Sequence, residues 1–144
     1  MIHYILFRTQ SHATEDVSRV REALGRVLPD ETPVDAIETE GYFGNPITLL
    51  TARLEKKSAV AFLGFLKQRL PEADLKAMVS ELPERVDEEC FFHLRLSKQD
   101  AFLGDVRITY AEDAISLRGK LEAYPAKQAT CLRQIREYFD EGKR

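Results

Sequence analysis

Residues 2–9 read Ile2-His3-Tyr4-Ile5-Leu6-Phe7-Arg8-Thr9. Neighbouring side chains of a strand point to opposite sides, so Ile2, Tyr4, Leu6 and Arg8 share one side and His3, Ile5, Phe7 and Thr9 the other. Apolar groups on both sides describe an interior strand covered on two faces. Thr14, followed by Glu15 and Asp16, reads as the cap of a helix with acids in its first turn. Val17, Val20, Leu24, Val27 and Leu28 recur at helical spacing until Pro29, which cannot donate an i→i−4 bond. Residues 34–40 and 47–54 read as strands joined by the Gly41-Tyr42-Phe43-Gly44-Asn45-Pro46 loop. A second helix, capped by Ser58, carries Ala59, Phe62, Leu63, Leu66 and Leu70 on one stripe and stops at Pro71.

A short acidic helix with Leu75, Met78, Val79 and Leu82 inward follows and closes near Pro83. Residues 90–97, 106–110 and 115–123 read as strands, and a last helix after Pro125 turns Cys131, Leu132, Ile135, Tyr138 and Phe139 inward before Gly142. The expected order is β-α-β-β-α-α-β-β-β-α. It defines one α+β domain over residues 1–144, a mostly antiparallel sheet with helices packed on one face.

The 144 residues suit a single domain that buries about 70% of its unfolded surface. Hydrophobic residues at 44% and charged residues at 31% exclude a disordered chain, and no apolar run approaches the ~20 residues that span a bilayer. Met1 to Arg8 lacks the charged and small-residue elements of an export signal. Cys90 and Cys131 form no CxxC, so the expectation is two reduced, buried thiols in a cytoplasmic protein that meets no membrane.

Charge is uneven. Residues 1–71 carry 9 basic and 9 acidic side chains, residues 72–89 carry 2 and 7, and residues 90–144 carry 10 and 8. The net charge is −3, yet most of the acid falls in one short stretch, and distribution rather than total sets the local field.

Sequence signatures of phosphate-binding loops, zinc proteases and hydrolase elbows are missing, and neither a cofactor nor a metal is expected. Cys90 and His93 would point to opposite faces of one strand and cannot share an ion. His12 precedes a helix start, where backbone N–H groups and an imidazole together suit a phosphate. The alternative is a plain capping loop, since Glu15 and Asp16 would compete with a bound anion. Paired with Glu15 or Asp16, His12 also gives the best acid–base candidate of the chain.

Tyr42 and Phe43 serve either to stack on unpaired bases or to fill the core, the second role fitting Phe43 better. In 90–97, Phe91, His93, Arg95 and Ser97 share a face; in 115–123, Ser116, Arg118, Lys120 and Glu122 do. If these strands pair, Arg95, Arg118 and Lys120 line a positive strip with Lys98 and Lys127 at its ends. Such a strip tracks a phosphate backbone while His93 or Phe91 stacks; the plainer alternative is a solvated outer face.

The stretches HATED (12–16), EGYFGNPI (40–47), LSKQDAFLG (96–104), AEDAI (111–115) and AYPAK (123–127) together resemble the archaeal RNA-binding family described as predicted exosome subunits. That family is related in fold to the large-subunit ribosomal protein that binds 5S RNA. The resemblance runs from Ile2 to about Tyr138. It implies a ribosomal-protein-like α+β domain, a homodimer, that binds RNA without catalysis, with exosome subunits as further partners. The matching polar positions are His12, Thr14, Asn45, Lys98, Gln99 and Lys127. With Tyr42, His93, Arg95, Arg118 and Lys120 they make up the expected RNA-binding set. The acidic segment 72–89 is then required to face away from RNA. A dimeric protein-interaction module, using the two-sided first strand and the aromatic loop, is the alternative.

Overall fold

The computed structural model describes residues 1–41 and 43–140; Tyr42 and the expected helix stop at Gly142 lie outside them. Five strands form one antiparallel sheet: β1 (Ile2–His12), β2 (Asp35–Glu40), β3 (Pro46–Glu55), β4 (Phe91–Leu96) and β5 (Ile115–Leu121), in spatial order β2-β3-β1-β5-β4. The strand with apolar groups on both sides is the central one. It pairs with β3 (Phe7 opposite Ala52) and with β5 (Leu6 opposite Arg118).

Two faces are not both covered, as the sequence had implied. Ile5, Phe7, Thr9, Leu50, Ala52, Leu54, Phe92, Leu94, Leu117 and Leu121 are buried, whereas Tyr4, Leu6, Arg8, Arg53, His93, Arg95 and Arg118 stand on an open face. A register shift between Ile2 and Tyr4 lets Ile2 and Ile5 both turn inward. Six helices accompany the sheet: α1 (Val17–Val27), α2 (Lys57–Arg69), α3 (Glu72–Ser80), α4 (Leu82–Arg85), α5 (Lys98–Phe102) and α6 (Gln128–Asp140). The expected stripe of α2 is buried in full, and Phe62 meets Phe7 edge-on at 4.9 Å between ring centroids. From α6, Phe139 lies 6.2 Å from Phe92.

Several local expectations are corrected. The cap of α1 is Asp16, which accepts from the Ser18 N–H, while Thr14 is exposed in the loop before it. Lys56, not Ser58, stands at the N-cap of α2, and no side chain caps the helix. Residues 106–110 form no strand, only an isolated bridge between Ile108 and Leu96. Asp74 of α3 takes the Ile108 N–H at 3.0 Å and the Arg107 guanidinium at 3.0 Å, so that backbone donor is not left for a ladder. Phe43 is 83% exposed rather than in the core. Cys90 and Cys131 are joined as a disulfide rather than reduced. The fold brings the start of β4 and the inner side of α6 together, with the two Cα atoms 5.9 Å apart, a proximity that no local spacing announces.

Candidate nucleic-acid interface

On the open face, side chains of opposed residues stand in rows across the strands. One row runs Arg95, Ser116, Arg8, Thr51 and Asp35; the next runs His93, Arg118, Leu6 and Arg53. Over these rows lies a cavity of about 980 Å³, lined by Arg8, Arg53, Arg85, Arg95 and Arg118. Four of these arginines come from four neighbouring strands and Arg85 from α4. Together they make a trough whose floor is the sheet itself.

Carboxylates neutralise only part of this charge. Arg53 is paired with Glu55 at 2.8 Å, and Arg85 with Glu81 at 2.8 Å. Arg8, Arg95, Arg118 and the adjacent Lys120 have no carboxylate partner among the described residues; Arg95 reaches only the Ala111 carbonyl at 3.5 Å. Two aromatic rings support the cations from below. Arg118 and Lys120 lie 4.5 and 4.7 Å from the Phe91 centroid, and Arg53 lies 4.1 Å from that of Tyr4. Such contacts hold a cation in place without cancelling its charge. They also cover the Phe91 ring, which makes it a support for cations and leaves less of its face for a base.

The wall beside β4 is a hydrogen-bonded unit. The Tyr110 hydroxyl donates to Glu81 at 2.8 Å and Arg85 donates to the same carboxylate, together holding Glu81 below the usual carboxylate range, the Tyr110 bond contributing most. His93 meets Asp87 at 2.8 Å. Burial pushes the Asp87 carboxyl up, but His93 and the Phe91 and Glu89 N–H groups outweigh it and leave it lowered. The acidic segment therefore does not face away as the charge reading had required. Glu84 lines the trough, Asp87 holds His93, and the Glu89 carbonyl accepts from Lys120 at 2.6 Å.

Other sequence candidates lie elsewhere. The Lys98 ammonium, with 11% of its side chain exposed, donates to the Gln10 carbonyl (2.7 Å), Glu15 (3.0 Å) and Asp113 (2.9 Å). His12 stands 3.4 Å from Asp113. Burial raises the Asp113 carboxyl, and Lys98 with His12 more than reverses this. Ligand atoms of His12, Glu15 and Asp113 lie within 4.8 Å of one another, but the positive charge these carboxylates require is supplied by Lys98. Three of the five sequence motifs thus meet in one ion-pair network that ties the β1–α1 loop to α5 and to the approach to β5. Lys98 does not extend the basic strip. Gln99, Asn45 and Lys127 are exposed and do not line the trough. Arg53 and Arg85 were not singled out by sequence; the outward parity of Arg53 on β3 was the available signal for the first.

The open face of the five-stranded sheet thus gathers five arginines in one trough, and Arg8, Arg95 and Arg118 among them have no carboxylate partner among the described residues. The RNA binding family model matches residues 4–121, and the chain belongs to this family. It is 40% identical to RNA-binding protein PAB1135 of Pyrococcus abyssi over 144 residues, 96% of this chain and 94% of that protein. Among solved structures, AF2318 from Archaeglobus fulgidus superposes with a TM-score of 0.86 at 32% identity, covering 95% of this chain and 99% of that one. Mth689 from Methanothermobacter thermautotrophicus does so with a TM-score of 0.82 at 36% identity, covering 96% and 98%.

Proposed function

We propose that this chain binds RNA through its phosphate backbone, laid across the open sheet face in the arginine trough. The observation that carries the reading is the convergence of Arg8, Arg95 and Arg118 on one concavity with no carboxylate partner among the described residues, in a chain of an RNA binding family. Guanidinium is a planar, weakly hydrated fork that engages phosphate oxygens two at a time. Family membership and the archaeal relative named for RNA binding support RNA as the polyanion. The proposal takes the role to be binding without catalysis. From the five-motif resemblance it adds a second copy of the chain and exosome subunits as partners, in RNA processing or degradation.

The test is an anisotropy titration with a labelled RNA at several salt concentrations. Three or four phosphate contacts give a log–log slope of roughly −2 to −3. Arg95→Glu and Arg118→Glu should each weaken binding at low salt by tenfold or more and flatten the slope. A flat slope in the unaltered protein, or two variants that bind as it does, removes the trough from RNA binding.

A further inference from the structure

We infer that the trough admits a single RNA strand and turns away a duplex. This rests on the RNA-binding reading above and specifies its substrate. The unpaired guanidiniums of Arg95, Arg118 and Arg8 stand on β4, β5 and β1, which are consecutive in the sheet, so their lane is about 10 Å wide at roughly 4.8 Å per strand. Each side of that lane ends in a carboxylate. Asp35, on the edge strand β2, lies in the same cross-strand row as Arg95 and Arg8 and lines the trough. Glu84, on α4 at the opposite edge, lines it too. Both are exposed, and among the described residues neither side chain has an ion-pair or hydrogen-bond partner.

The pattern is a positive floor between negative rims. One backbone running along the floor meets cations and uncharged side chains but no carboxylate. A duplex brings a second backbone, set to one side of the first, and that strand must lie against a rim. A strand against a rim lies well inside a Debye length of its carboxylate at physiological salt and is repelled, whereas the floor is about that length away and is largely screened from it. Length argues the same way. Duplex-reading modules engage about 16 base pairs, roughly 50 Å of helix, whereas β4 and β5, which carry Arg95 and Arg118 along the lane, run 6 and 7 residues, roughly 20 to 23 Å. Single-strand sites of a few nucleotides fit that dimension.

The experiment compares a 15-nucleotide unstructured RNA with the same strand annealed to its complement, at physiological ionic strength. It uses the unaltered chain, an Asp35→Asn, Glu84→Gln double variant, and Arg118→Ala. The single strand should bind at least tenfold tighter than the duplex. The double variant should raise duplex affinity fivefold or more and single-strand affinity by a clearly smaller factor, so that the preference for the single strand narrows. Equal affinity for both forms in the unaltered chain, with Arg118→Ala weakening both, overturns the single-strand inference and leaves the trough in place. So does a double variant that binds the duplex no better. A strand preference that Arg118→Ala leaves untouched, or no binding of either RNA, overturns the trough itself. Both rim positions are exposed, and circular dichroism checks that the double variant keeps its fold.

Discussion

Replacing Phe91 with leucine leaves every charge of the trough in place and removes the ring that Arg118 of the trough and the adjacent Lys120 rest on. Arg118 and Lys120 lie 4.5 and 4.7 Å from that ring's centroid. Each such contact is worth about 0.5–1 kcal/mol at an exposed site. Their joint loss frees two long side chains that the unaltered protein holds ready, and binding must then order them. The cost expected in RNA affinity is about 1–2 kcal/mol, or roughly 5- to 30-fold. Because no cation is removed, the salt slope stays where it was. Anisotropy titrations at three salt concentrations read both quantities, and inorganic polyphosphate as a competitor supplies the control. If Phe91 acts by orienting cations, polyphosphate affinity falls in step with RNA affinity. Unchanged affinity for RNA refutes the orienting role. A loss confined to RNA assigns the ring to base stacking instead.

Other consequences follow from the same geometry. Lys98→Met leaves Glu15 and Asp113 without their shared counter-charge, so chemical denaturation should show a loss of about 1.5–3 kcal/mol, while the RNA salt slope stays unchanged. Reducing the Cys90–Cys131 bond, which spans a sequence separation of 41, should lower stability by about 4 kcal/mol on loop-closure grounds, seen as a fall in Tm on adding reductant. The Asp74 carboxyl is held below its usual value, chiefly by the Arg107 hydrogen bond. A lowered folded-state pKa adds stability above the ordinary aspartate range and loses it as pH falls through the folded value. Asp74→Asn should therefore be less stable at neutral pH and show a shallower decline in acid, measured as unfolding free energy from pH 7 to pH 2.

What the sequence made legible was whatever a local period carries. Alternation in 90–97 and 115–123 put Arg95, Arg118 and Lys120 on one face because the strand period of two needs no knowledge of partners, and β4 and β5 do pair as that required. The α2 stripe was readable for the same reason at period 3.6. What stayed hidden depends on contacts distant in sequence. Arg8 joins the trough because β1 lies between β5 and β3, and Lys98 leaves the strip because Glu15 and Asp113 reach it from 83 and 15 residues away. The missing strand at 106–110 has strand-forming residues, but Asp74 from another element takes its backbone donor. The omission of α5 was avoidable. Ser97 accepts from the Asp100 N–H, and the S-x-x-D spacing that makes this cap is present in LSKQD.

Where RNA touches the protein is tested most directly by photo-crosslinking a thiouridine-substituted strand and mapping the adducts by peptide mass spectrometry. Adducts are expected on outward residues of β1, β4 and β5 and on the adjoining wall, namely Tyr4, Phe91, His93 and Tyr110, with none on α1, α2 or α6. Adducts collected on the helical side, or around His12 and Lys98, would contradict the trough.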